Sequence, residues 1–95
     1  MGIEEVKTVI RAHQLELREF GVRELLLFGS VARGEGGSAS DLDFLVELEQ
    51  PSLERFMGLK IALEAWFSRK IDLGSKRQLK PFVRELVLRD ALRVA

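Results

Sequence analysis

The sequence predicts an α+β protein with the element order α-β-β-α-β-α, forming one domain over residues 1–95. Three observations predict it. Three stretches repeat apolar residues every three or four positions. Three short runs have the length and apolar content of strands. The length of 95 residues, with 46% hydrophobic and 32% charged residues, suits a single ordinary globule and neither a disordered nor a fibrous chain.

The first helix is carried by Ile3, Val6, Ile10, His13, Leu17 and Phe20 on one stripe. Glu4 and Glu5 stand in its first turn, where the helix dipole favours acids, and Gly21 ends it. His13 lies on the apolar stripe and reads as a packed, hydrogen-bonded histidine. It is the only histidine, which excludes a histidine-based metal site. Residues 22–28, VRELLLF, form a strand stopped by Gly29. Residues 30–40 read as a loop with one helical turn capped by Ser30. Leu42, Phe44, Val46 and Leu48 then alternate with Asp41, Asp43, Leu45 and Glu47, which is a strand of period two. These two strands are expected to pair antiparallel.

Pro51 and Ser52 open the next helix. Its apolar positions, from Leu53 to Phe67, spread too widely for one narrow stripe, so it should be covered by the sheet and by a second copy or a partner. Gly58 within it implies close packing at that point. Residues 70–74 form a third strand. Pro81 opens a last helix, with Phe82, Val83, Leu86, Val87 and Leu92 as its expected core side.

There is no cysteine, which excludes a disulfide framework, a thiolate zinc site and a cysteine nucleophile. No apolar run approaches the roughly 18 residues of a membrane span. The N-terminus has neither signal-peptide nor transit-peptide character, so a cytoplasmic location is expected. Formal charge is zero, which argues against a large nucleic-acid footprint. The balance hides an asymmetry: residues 1–68 hold seven Lys/Arg against twelve Asp/Glu, and residues 69–95 hold eight against three.

The chemistry concentrates in two places. Gly29 allows a ligand to approach the backbone, the turn after it offers N–H groups to an anion, Ser30 adds a hydroxyl and Arg33 a fixed positive charge. Together they suit a phosphate chain, although Gly-Ser turns also simply end strands. Asp41 and Asp43 are two apart at a strand opening and share a face. Asp is disfavoured in strands, and paired carboxylates are hard oxygen ligands suited to Mg²⁺ or Mn²⁺. Asp72 sits between Ile71 and Leu73 in the third strand and joins them if the two strands are neighbours. Three of the four aspartates are thereby used; Asp90 reads as surface. Lys70, Lys76 and Arg77 flank the third strand and read as solvated bases.

Gly29-Ser30, ten residues, then Asp41-x-Asp43, with Asp72 on a later strand, resembles the polymerase-beta-type nucleotidyltransferase superfamily. The string FGSVARGEGGSASDLDFLV is similar to the minimal nucleotidyltransferases (MNT). Four fixed residues at that spacing arise by chance on the order of 10⁻³ times in such a chain. The resemblance implies a small mixed sheet with helices packed on one side. It implies transfer of a nucleoside monophosphate from a triphosphate such as ATP to a hydroxyl. Asp41, Asp43 and Asp72 would be the catalytic residues and would hold two metal ions, Mg²⁺ or Mn²⁺; Gly29 and Ser30 would hold the nucleotide, with Arg33 as a phosphate contact. It further implies an antitoxin paired with a small helical HEPN-domain toxin in a type VII-like system, with a tyrosine of that partner as acceptor. The chain has no tyrosine of its own, so such an acceptor lies in trans. A non-catalytic antitoxin acting by occlusion and a transferase acting on a small molecule or RNA end are the alternatives.

Overall fold

The computed structural model describes residues 1–35 and 41–95, so the end of the glycine-rich connection lies outside the described residues. The expected first helix is two helices, α1 (Ile3–Ala12) and α2 (Gln14–Glu19). The break falls at His13, whose ring bonds the Val9 carbonyl at 2.9 Å and stacks on Trp66 at a centroid distance of 4.1 Å. Apolar spacing alone carries no sign of this break, because Val6, Ile10 and Leu17 still point into one core. Gly21, at φ +79, closes α2 by donating to the Arg18 carbonyl at 2.9 Å.

The sheet has the order β3-β2-β1-β4. β1 (Val22–Phe28) and β2 (Leu42–Leu48) pair antiparallel, as expected. β3 (Ile71–Ser75) runs parallel to β2. A parallel neighbour needs a crossover, and α4 (Leu53–Phe67) supplies it. Ser52 caps α4 by accepting from the Arg55 N–H at 3.1 Å. Gly58 packs closely, as its position implied: a Cβ there would lie 3.0 Å from Phe20 Cε1.

One face of the sheet is the core. Leu25 and Leu27 of β1, Leu42, Phe44 and Val46 of β2, and Ile71 and Leu73 of β3 meet Val6, Ile10, Leu17, Leu59, Leu63 and Phe67 from the helices. Alternation sends Glu24, Asp43, Glu47 and Asp72 to the opposite face. That second face carries the candidate site.

Two further features depart from the sequence reading. A short edge strand, β4 (Leu92–Arg93), pairs antiparallel with β1. Two residues are too few for a periodic signal; backbone bonding of Leu25 to Val94 and Ala95 creates the strand. α5 (Pro81–Leu88) forms with Pro81 at its start but buries no residue. Of its expected core side, Phe82, Val83 and Leu86 are outward, with Phe82 75% and Leu86 51% exposed, while Val87 is half-buried and Leu92 belongs to β4 instead. As the width of its apolar surface implied, the sheet covers α4 on one side only, and the row Leu53, Met57 and Ile61 is exposed.

Candidate active site

The site begins where β1 ends. Phe28 is extended, and Gly29 turns the chain at φ +79 into a single helical turn, α3 (Gly29–Ala32). The turn starts earlier than expected: Phe28, not Ser30, stands at the N-cap, and no side chain caps it. Ser30 instead lies within the turn, where its carbonyl accepts from the Glu35 N–H at 2.8 Å. The first N–H groups of such a turn lack intrahelical acceptors, so they remain donors for an anion.

Gly29 is required twice over. Its φ favours glycine, and a Cβ there would overlap the Asp43 carboxylate, lying 3.0 Å from Cγ with Oδ2 closer still. The Asp43 carboxylate therefore rests directly against the backbone at the start of α3. Val31 anchors this turn in the core.

Asp43 pairs in register with Phe28 on β1 and with Asp72 on β3. The parallel β2–β3 register sets Asp43 and Asp72 side by side on one face, at the ordinary strand spacing of about 4.8 Å. Burial raises the Asp43 pKa above the ordinary carboxylate value, and the negative charges of Asp72 and Asp41 raise it further; Arg33 opposes them. Asp41 and Asp72 thus both act on Asp43. Asp43 is half-buried, and Asp41 and Asp72 are exposed. Among the described residues, no group of three or more acids or histidines is arranged so that it could hold a metal ion. Asp43 and Asp72 stand instead as an in-register carboxylate pair, and Asp41 acts on Asp43 through its charge. Carboxylates are hard oxygen donors, and a divalent cation bound by them would relieve the repulsion on Asp43.

The bases around the site divide. Arg33 is near enough to act on Asp43, and its Nε also meets Glu35 Oε2 at 3.1 Å. Lys76 bonds Glu24, and Arg77 stands 3.7 Å from Glu47. Arg93 of β4 reaches Glu24 at 3.8 Å. These pairs form a charged ladder farther along the same face. The sequence held a clue to it: Glu24 and Glu47 occupy site-face positions of their strands.

Residues 10–94 match the nucleotidyltransferase domain family. The chain belongs to this family. It is a nucleotidyltransferase, and the relatives agree along its length. It is similar to the protein adenylyltransferase MntA of Thermococcus cleftensis, with 45% identity covering 99% of this chain and 97% of the relative. A solved structure described as a minimal nucleotidyltransferase superposes with a TM-score of 0.83 at 39% identity, covering 97% of this chain and 95% of the other. The fold also matches a chain from a toxin–antitoxin crystal structure with AMP-PNP, with a TM-score of 0.75, 20% identity, and coverage of 94% and 72%. A further fold match is a chain from the complex of a tri-AMPylated Shewanella oneidensis HEPN toxin with its MNT antitoxin, with a TM-score of 0.66, 16% identity, and coverage of 94% and 71%. The expected small mixed sheet and the minimal nucleotidyltransferase resemblance both stand. Among the described residues, no helix is long and apolar enough to cross a membrane.

Proposed function

We propose that this nucleotidyltransferase moves AMP from ATP to a tyrosine hydroxyl of a HEPN-domain partner in the cytoplasm, and so acts as the antitoxin of a type VII-like pair. The observation that carries the reading is the in-register pair Asp43–Asp72, set beside the Gly29–Ser30 turn with Asp41 adjacent. The named function of the Thermococcus relative supports the AMP group and a protein acceptor. The toxin–antitoxin complexes among the fold matches support the partner class.

In this reading the α3 turn and Ser30 hold the triphosphate tail, and Arg33 leaves Glu35 to meet a phosphate oxygen. Asp41, Asp43 and Asp72 would hold two divalent ions, Mg²⁺ or Mn²⁺. When bound, these would neutralise charge on the triphosphate and make the attacking hydroxyl more acidic. The acceptor oxygen forms a bond to the α-phosphorus as the bond to the β-phosphate oxygen breaks, and pyrophosphate leaves in line. Asp72, exposed at the edge of the group, takes the hydroxyl proton. Asp43, held against Gly29, fixes the geometry.

The test is incubation with α-labelled ATP, Mg²⁺ and the HEPN-domain partner. Label should reach the partner with the wild-type chain and not with Asp43→Asn. Equal labelling by both proteins, or none by either, overturns the catalytic reading. An Asp41→Asn/Asp43→Asn protein that still neutralises the toxin in cells would favour occlusion.

A further inference from the structure

Among the described residues, two outward apolar rows remain unpaired. Leu53, Met57 and Ile61 form one on α4, on the far side of the helical layer from Asp43. A protein seated there would approach the sheet face opposite the site. Phe82, Val83 and Leu86 form the other, on one face of α5, at 75%, 40% and 51% exposure. A helix of eight residues with nothing buried is marginal by itself. Its location differs from that of α4. Arg84 of α5 acts electrostatically on Glu24, and Glu24 shares the sheet face of Asp43, four residues from Phe28 along β1, or about 13 Å.

Charge selects the occupant. Lys80 and Arg89 border the apolar row, within a segment of eight bases and three acids. A second copy docking α5 to α5 would set these like charges together, at a cost. An acidic partner would not.

We propose that α5 is the docking platform for the acceptor protein, which meets it with an apolar patch rimmed by acidic residues. The platform rests on the adenylyl-transfer reading for the identity of the occupant. It explains how this domain orients a protein acceptor: α5 holds the body of the partner, and the acceptor hydroxyl reaches along the sheet face to the acids.

The experiment measures binding separately from chemistry. Wild-type, Phe82→Ala/Leu86→Ala, Lys80→Glu and Met57→Ala/Ile61→Ala chains are titrated with the purified HEPN-domain partner, with AMP-PNP present, by calorimetry. Melting temperature and ATP affinity are measured in parallel. Both α5 variants should bind the partner at least tenfold more weakly while keeping wild-type melting and ATP affinity. The α4 variant should bind normally, and wild-type affinity should fall as salt is raised. Wild-type affinity in the α5 variants, loss of binding in the α4 variant alone, self-association lost in the α5 variants without partner binding, or no partner binding by the wild type would each overturn the platform. Partner binding that depends on α5 without AMP transfer would leave the platform standing and remove the adenylyl-transfer reading. Transfer with α5 variants fully active would do the reverse.

Discussion

Replacing Gly29 by alanine tests the contact on which the site is built. The perturbation has two parts. Alanine at φ +79 costs about 1–2 kcal/mol of backbone strain. The new Cβ would lie 3.0 Å from Asp43 Cγ and closer to Oδ2, where carbon atoms ordinarily rest at about 3.5–4 Å. The carboxylate must therefore retreat by about 1 Å or swing to another rotamer. A displacement of that size at a reacting centre costs about 100-fold in rate. The strain should lower the melting temperature by roughly 5–10 °C in a domain of this size. Pyrophosphate release and thermal melting, measured on the same protein, separate the two parts. Combining Gly29→Ala with Asp43→Ala supplies the internal check. The steric part vanishes when the carboxylate is gone, so the double variant should be more stable than the two single losses predict. A Gly29→Ala protein that turns over at the wild-type rate while folded, with strictly additive stabilities, would refute the claim that this backbone positions Asp43.

Two further predictions follow from the same face. Mg²⁺ should raise the melting temperature of the wild-type chain and leave Asp43→Asn almost unmoved, because a ligand stabilises only the state that binds it; calorimetric melting with and without Mg²⁺ checks this, and equal shifts in both proteins would count against the three aspartates as ligands. Glu24 has its pKa lowered from the ordinary 4.5 chiefly by the hydrogen bond from Lys76, against the opposing effect of burial, with help from the charges of Lys76, Arg93 and Arg84. A lowered carboxylate pKa contributes stability that is present above the unfolded value and lost as pH falls through the folded one. Glu24→Gln should therefore cost about 1 kcal/mol at neutral pH and progressively less below pH 4.5. Urea unfolding across that range reads the difference, and a pH-independent loss would contradict it.

Much of the fold was legible because its signals are local. The alternation in residues 41–48 specified a strand and which of its side chains share a face, and β2 keeps that arrangement. The isolated acid Asp72 between two strand-forming apolar residues marked β3, and it now pairs in register with Asp43. Gly58 announced a close approach that Phe20 makes. The misses share a cause. β4 exists only because the edge of β1 accepts two more residues. α5 has an amphipathic pattern, but a pattern says which side is apolar and not whether anything lies against it. The break at His13 depends on Trp66, more than fifty positions away.

By itself, the sequence determined the types and order of the main elements, the glycine turn, and the presence of three short acids able to share one face, since helix and strand periods and turn chemistry act between near neighbours. Only the tertiary structure decided that β3 lies parallel to β2 with Asp72 beside Asp43, that Lys76 and Arg77 are tied to Glu24 and Glu47, and that α5 stays outside the core. Each of those outcomes joins residues distant in the chain, and their register comes from burying all the apolar faces at once rather than from any local segment.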